Sequence, residues 1–375
     1  MKATIKRFYI FILAVILSTS VFLFAGCASV TGEFFVCEFL GAPVTVSFLS
    51  PVSENEKSDL VRLIGKEAAR IDGLISTENP SSDISLFNAA DDGVVKVDEL
   101  TYYLAETARK AYLSTDGAFD PATYNLLDLW GLTPRFLSSD YVPTAPYDRV
   151  KNPDGSFDLP AERYVRAFSL LADYSTVAVY ERNGEYFLEK TIAPVEVDGT
   201  VYSQKIDLAG VAKGYLADQA KAHINRLGIA GVFVSIGGSS LYLGKTDAPW
   251  QLGIVDPYSP YRASFATVEV SETCCSTSGV YENCYYLDGV RYHHVIDGEQ
   301  GVPSDSDVVS ATVFGSGAET DILSTAAIVM GKDKAVAYLE GLGKKYVILT
   351  DDDKVYTNLD SIRLINQRFS IIDQK

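Results

Sequence analysis

The chain predicts an α+β fold, and three observations lead there. Alternating, β-branched segments recur along its length, Val44-Thr45-Val46-Ser47-Phe48-Leu49 among the first. Amphipathic helices stand between them, the longest opening at Ser53. The two kinds of element mix without the strict alternation that a doubly wound sheet requires. At 375 residues and 47% hydrophobic, the chain carries enough apolar material to exclude disorder.

The elements follow in order. Phe34 to Leu40 and then Val44 to Leu49 read as strands. Ser53 with Glu56 three residues on is a capping box. The helix it opens runs to about Ile75, with Leu60, Leu63, Ile64, Ala68, Ile71 and Ile75 on one face. A second helix covers Thr101–Ser114 and stops at Asp116-Gly117. Residues 133–165, rich in Pro, Asp and Ser, read as an insertion or long loop. Strands at 176–181 and 185–190 flank Asn183-Gly184, a hairpin signal. Val211–Leu227 is helical and Gly231–Ser235 a strand, with further strands at 251–256, 265–270, 284–296 and 308–314. Helices at 318–330 and 333–340 stop at Gly331 and Gly341, where a residue able to take positive φ is expected. Lys345–Thr350 is expected to be the last strand.

Charge divides the chain. The total holds 32 Lys+Arg against 49 Asp+Glu, a net -17 that argues against duplex nucleic acid as a partner. Residues 1–26 run the other way, with Lys2, Lys6 and Arg7, no acid, and an apolar run from Phe8 to Phe24. That is the pattern of a secretory signal. Its end, Leu23-Phe24-Ala25-Gly26-Cys27, resembles the lipobox of bacterial lipoproteins, which implies lipidation at Cys27. The expected organisation is a signal over 1–26, a lipidated tether over 27–35, one domain over 36–360, and a tail over 361–375. The mature chain is then expected at the extracytoplasmic face of the cell membrane, lipid-anchored. Cys37, Cys274, Cys275 and Cys284 remain. No Cys-x-x-Cys pair suggests a zinc site. Cys274 and Cys275 point to opposite faces if on a strand, and either pairs with Cys284 or all stay free thiols.

Five local motifs carry candidate chemistry. Ala118-Phe119-Asp120-Pro121 follows the Asp116-Gly117 turn and sets a carboxylate beside an aromatic, as a structural loop or a cradle for a planar ring. Lys205 to Tyr215 runs into a helix whose unpaired N–H groups, with Lys213, suit an anion; Gly210 and Gly214 permit close backbone approach. The spacing is not that of a dinucleotide fingerprint. Asp321 and Thr325 are four apart, with Ser324 beside them. On one helix face these hard oxygens suit Mg²⁺, and at a helix start they would serve as caps. His293-His294 ends a strand, one ring facing in and one out, and a histidine beside phosphates can act as a general base. Gly237-Gly238 marks a strand end with bare backbone.

Taken together, these motifs resemble the ApbE family, the FAD:protein FMN transferases. The resemblance spans about residues 36–350 in the family's order. It rests on Ser82-Asp83-Ile84-Ser85-Leu86-Phe87-Asn88, Gly117 to Pro121, Leu127-Asp128-Leu129-Trp130-Gly131 and Asp207 to Tyr215. Ser276-Thr277-Ser278-Gly279, His294-Val295-Ile296-Asp297 and Thr320 to Thr325 complete it. The family splits FAD at its pyrophosphate, attaches FMN to a threonine hydroxyl of an acceptor protein and releases AMP. What this implies is an α+β, T-fold-like catalytic domain. Ala118, Phe119, Asp120, Asp207, Lys213 and Ile296 would hold FAD. Glu78 would stand at a flavin position where the family often has an aromatic. Mg²⁺ would take the Gly210 carbonyl, Asp321 and Thr325, with Ser324 able to contribute, and His294 would be the base. The implied partner is a threonine-containing domain of a membrane-associated redox protein. FAD hydrolysis without transfer, and FAD binding without chemistry, are the alternatives. The chain departs from the family at Asp297-Gly298-Glu299-Gln300-Gly301, and has Ser235 and Ser239 around its Gly-Gly pair.

Overall fold

A computed structural model describes residues 32–90, 93–137 and 141–372. The basic signal and Cys27 lie outside the described residues. One mixed sheet organises the rest. Its nine strands are β1 (Gly32–Phe39), β2 (Ala42–Phe48), β3 (Val232–Ile236), β4 (Ser240–Leu243), β5 (Thr273–Gly279), β6 (Val308–Gly315), β7 (Lys345–Thr350), β8 (Lys354–Thr357) and β9 (Ser370–Ile371). They lie side by side in chain order. Every pairing is antiparallel except β8 with β9.

The described helices are α1 (Glu54–Ile75), α2 (Asp83–Ala89), α3 (Glu99–Ser114), α4 (Tyr124–Leu129), α5 (Glu162–Ser169), α6 (Ala209–Leu227), α7 (Gly317–Met330) and α8 (Lys332–Gly341). The capping box of α1 forms as expected: Glu56 N–H donates to Ser53 Oγ at 3.3 Å, and Ser53 N–H to the Glu56 carboxylate at 3.0 Å. Leu60, Ile64, Ile71 and Ile75 of its stripe are buried. Each such side chain contributes roughly 1.5–3 kcal/mol of burial.

Period-2 alternation decides which side each strand residue serves. Val234, Tyr242 and Cys274 face one core with α1, α3, α6 and the start of α7. Phe233, Leu241, Leu243 and Cys275 face the other, against a three-stranded sheet of Trp250–Val255, Ser264–Val270 and Arg363–Leu364. Cys274 and Cys275 thus sit in different cores, and Cys37, Cys274, Cys275 and Cys284 are all free thiols. Among the described residues no helix is long and apolar enough to cross a membrane.

Two expectations change. Lys345–Thr350 is not the last strand: Asp353, at φ 64°, turns the chain back into β8, and β9 follows with Phe369 buried. Within the stretch expected as a tail, Ser370–Ile371 thus pairs with β8. The strand expected over 284–296 breaks into a hairpin, Cys284–Leu287 with Val290–His293. Asp288 and Gly289, at φ 51° and 81°, form the two-residue turn that this dipeptide favours. The stretch expected as an insertion or long loop carries, in its described part up to Glu162, one short 3-10 turn, Pro134–Phe136, and is pinned by a charge knot. Arg135 bridges Asp128 at 2.7 Å and Asp148 at 2.6 Å, over an apolar cluster that includes Trp130, Phe136 and Phe157.

Candidate functional site

A cavity of about 400 Å³ opens where β3 and β5 end and β4 begins. Other segments close it, among them the turn between β1 and β2, the 117–121 loop, the start of α6, one face of α7, and the chain on both sides of the hairpin. Ala118, Phe119, Asp120, Asp207, Gly210 and Lys213 line it, as do His294, Ile296, Asp321 and Thr325. The residues singled out in sequence thus come together, with two exceptions. Ser324 is fully buried with its hydroxyl 2.9 Å from Ser278 Oγ, and does not line the cavity. Glu78 is exposed on the turn after α1 and is not among the lining residues.

Backbone clamps shape the wall. Thr115 Oγ1 accepts the Phe119 N–H at 3.1 Å, and Asp207 N–H donates to the Pro121 carbonyl at 2.9 Å, so the two loops hold each other. Asn88 pairs with Ile206 through both amide atoms, at 2.9 and 2.8 Å. Asn125 does the same for Ser203 and Lys205, at 3.2 and 2.8 Å. Side-chain amides that mimic a backbone partner keep an irregular segment satisfied where it would otherwise need water. Neither asparagine was assigned a role from sequence; an Asn beside an apolar run is too common a signal.

Asp120 stands between this cavity and a neighbouring one of about 550 Å³ whose wall includes Asp116, Asp173 and Glu299. Burial, with Asp173 nearby, pushes its carboxyl up to about 7, against the pull of the Ala122 N–H. A carboxyl raised on folding binds more protons in the native state than in the unfolded one. Stability contributed this way is present below the ordinary carboxylate range and is lost as pH rises toward 7. Asp120→Asn is therefore expected to flatten the fall in thermal midpoint between about pH 4 and pH 7, a difference of a few kcal/mol. Scanning calorimetry of both proteins across that range checks it, and parallel curves would refute it.

The histidine pair separates. His293 is buried; its Nε2–H donates to the Ser304 carbonyl at 3.0 Å and its Nδ1 accepts the Val295 N–H at 3.3 Å. Burial lowers its pKa to about 4, so it is a neutral structural ring. His294 lies one residue past the strand. Its Nδ1 faces the Glu282 carbonyl at 3.0 Å, and a carbonyl only accepts, so Nδ1 carries the proton. Nε2 is then the basic nitrogen. Burial, with Lys213 also nearby, holds His294 below the usual histidine range.

Asp321 is set by two other elements. Its Oδ2 accepts the Gly214 N–H of α6 at 2.9 Å, and its Oδ1 accepts from Ser240 Oγ of β4 at 3.2 Å. It sits in the second turn of α7, so the capping alternative does not hold. The cap comes from α6: the Asp218 carboxylate accepts the Gly317 and Ala318 N–H groups at 2.7 and 2.9 Å. The two helices meet at Gly214 and Gly317, backbone against backbone. Asp321 is 4% exposed. Burial raises its pKa, and Lys213 opposes the rise. A carboxylate held mainly by neutral donors keeps a charge that its surroundings only partly neutralise. With the Thr325 hydroxyl and the Gly210 backbone in the same cavity, the donor set is all oxygen and fits a hard cation such as Mg²⁺. Among the described residues no group of three or more His, Cys, Asp or Glu comes together as metal ligands.

Known proteins share this arrangement of segments. The model of the ApbE family matches residues 40–348. The FAD:protein FMN transferase of Treponema pallidum (strain Nichols) is 29% identical over 312 residues, covering 79% of this chain and 79% of its own. That of Salmonella typhimurium (strain LT2) is 31% identical over 277 residues, covering 72% and 71%. The crystal structure of the ApbE protein from Thermotoga maritima MSB8 superposes with a TM-score of 0.70 at 27% identity, over 86% of this chain and 96% of that one. The family match starts in the turn between β1 and β2 and ends inside β7, so it takes in every segment that lines the cavity, and the chain belongs to the ApbE family.

Proposed function

We propose that this protein is an FAD:protein FMN transferase. It moves the FMN half of FAD onto a threonine hydroxyl of an acceptor protein and releases AMP. The observation that carries the reading is the tautomer of His294, whose free nitrogen is its Nε2, on a ring that shares one cavity with Lys213 and Asp321. Held neutral by burial, that nitrogen can take the proton of an incoming hydroxyl near pH 7. The hydroxyl oxygen forms a bond to the FMN phosphorus as the phosphorus–oxygen bond to AMP breaks, and AMP leaves with its phosphate. Lys213 and the N-terminal turn of α6 attract the diphosphate. Phe119, packed against Gly210, and Asp120 and Asp207 hold the flavin or adenosine part. Gly210, Asp321 and Thr325 would hold Mg²⁺. Bound there, the ion supplies charge neutralisation for the phosphates.

The basic, apolar start and Cys27 support a lipid-anchored protein acting outside the cytoplasmic membrane on a membrane-associated redox partner. The test is incubation with FAD, Mg²⁺ and candidate acceptor domains, read by intact mass. The expected result is an FMN adduct mapped to threonine; bound FAD with no adduct on any acceptor would refute the transferase. His294→Gln, which keeps an N–H donor but no base, is expected to lower the transfer rate roughly 10²–10⁴-fold with FAD affinity little changed.

A further inference from the structure

Where α7 meets β4 and β5, the contact is built from hydroxyls. Thr320, Ser324 and Ser240 are fully buried and Ser276 nearly so, whereas Leu323, Ala327 and Ile328 of α7 pack against Val309, Ala311 and Val313 in the ordinary apolar way. Ser240 and Ser276 are register partners on β4 and β5. Their hydroxyls lie 3.2 Å apart, and Ser276 Oγ is 3.0 Å from Thr320 Oγ1. Ser240 Oγ donates in turn to Asp321 Oδ1. Each hydroxyl moved out of water loses more than its new bond returns or roughly breaks even, so this layer adds little stability over an apolar one. Its geometry has a direction instead. Ser276 donates to Ser240, and the chain of hydroxyls ends on the one buried carboxylate of α7, while Thr320 donates to the Gly317 carbonyl at 2.9 Å.

That carboxylate has two oxygens, each able to accept twice. The Gly214 N–H takes one position on Oδ2, from α6. The Ser240 hydroxyl takes one on Oδ1, from the sheet. Together they fix the plane of the group from two rigid elements. We propose that Ser240 is a positioning residue: its hydroxyl holds the Asp321 carboxylate so that its remaining lone pairs face the cavity and a divalent cation. This rests on the magnesium reading given above. Outer-shell partners of this kind typically matter about 10–100-fold in metal affinity.

The test uses Mn²⁺ as the probe, titrated into the protein without FAD or acceptor and followed by water-proton relaxation. Ser240→Ala is expected to weaken Mn²⁺ binding about tenfold or more, with the thermal midpoint of the metal-free protein close to that of the original. Ser276→Ala, which removes the neighbouring hydroxyl but leaves the Ser240 contact with Asp321, should change Mn²⁺ affinity less than about twofold; a purely structural role would move both variants alike. Should Ser240→Ala fail to fold, Ser240→Cys keeps the volume with a weaker donor and is read in the same way. Unchanged affinity in the Ser240 variant overturns the positioning role and leaves the magnesium reading standing. Absence of Mn²⁺ binding by the original protein overturns both.

Discussion

Asp321→Ala is expected to abolish flavin transfer, with a loss on the order of 10³-fold or more. The estimate follows from several kcal/mol of phosphate-charge stabilisation by a bound cation, at about 1.4 kcal/mol per tenfold. Alanine removes the one carboxylate in the proposed donor set of Gly210, Asp321 and Thr325. The same change should leave folding intact. Asp321 is buried and its charge is raised in energy there, so deleting it relieves a cost as well as removing hydrogen bonds to Gly214 and Ser240. Single-turnover assays at saturating FAD, together with urea denaturation of the metal-free protein, separate the two effects. Transfer within tenfold of the original would overturn the role assigned to Asp321.

Gly214→Ala should instead act on the fold. A Cβ there would lie 2.0 Å from the Gly317 carbonyl oxygen and 2.8 Å from the Asp321 Cβ. The first obstacle is backbone, which has no rotamer to escape into, so α6 and α7 must separate. Overpacking that side chains can absorb costs ~1–3 kcal/mol, and a backbone clash in a helix crossing belongs above that, on the order of 4 kcal/mol or more. Separation also withdraws the Gly214 N–H from Asp321 and the Asp218 carboxylate from the start of α7. The control is Gly65→Ala in α1, where the nearest atom is Val36 Cγ1 at 3.5 Å. It is expected to be neutral or to stabilise by up to ~1 kcal/mol through helix propensity. Denaturant midpoints for both variants decide the matter; equal midpoints would show that the crossing has slack.

How much of the site was legible follows from the range of each signal. Asp207 to Tyr215 could be read as a strand end entering a helix because glycine, lysine and a helix N-terminus are adjacent in sequence. Asp321 and Thr325 could be read as neighbours because four residues is one helical turn. The same spacing could not decide between cap and ligand, since that depends on where the helix begins and on what lies opposite. Only the packing of α6 supplied Asp218 as the cap and left Asp321 free for the cavity. The histidines show the same limit. Alternation predicted that they would part, but the Ser304 and Glu282 carbonyls, eleven and twelve positions away, assign the tautomers.

By itself, then, the sequence determined the kinds of element, the mixed α+β class, the capping box at Ser53 and the hairpin at Asn183-Gly184. It also determined the set of oxygen- and nitrogen-bearing residues available for chemistry. These are properties of neighbours within a few positions, where propensity and periodicity act. Tertiary structure alone decided that nine strands align in chain order, that the stretch after Thr350 returns to the sheet, and that Glu78 stays outside the cavity. It alone brought Ser240, Gly214 and Asp321 to one point from β4, α6 and α7. Hydrogen bonds between residues some 80 and 107 positions apart leave no local pattern, because what selects them is the satisfaction of a buried charge.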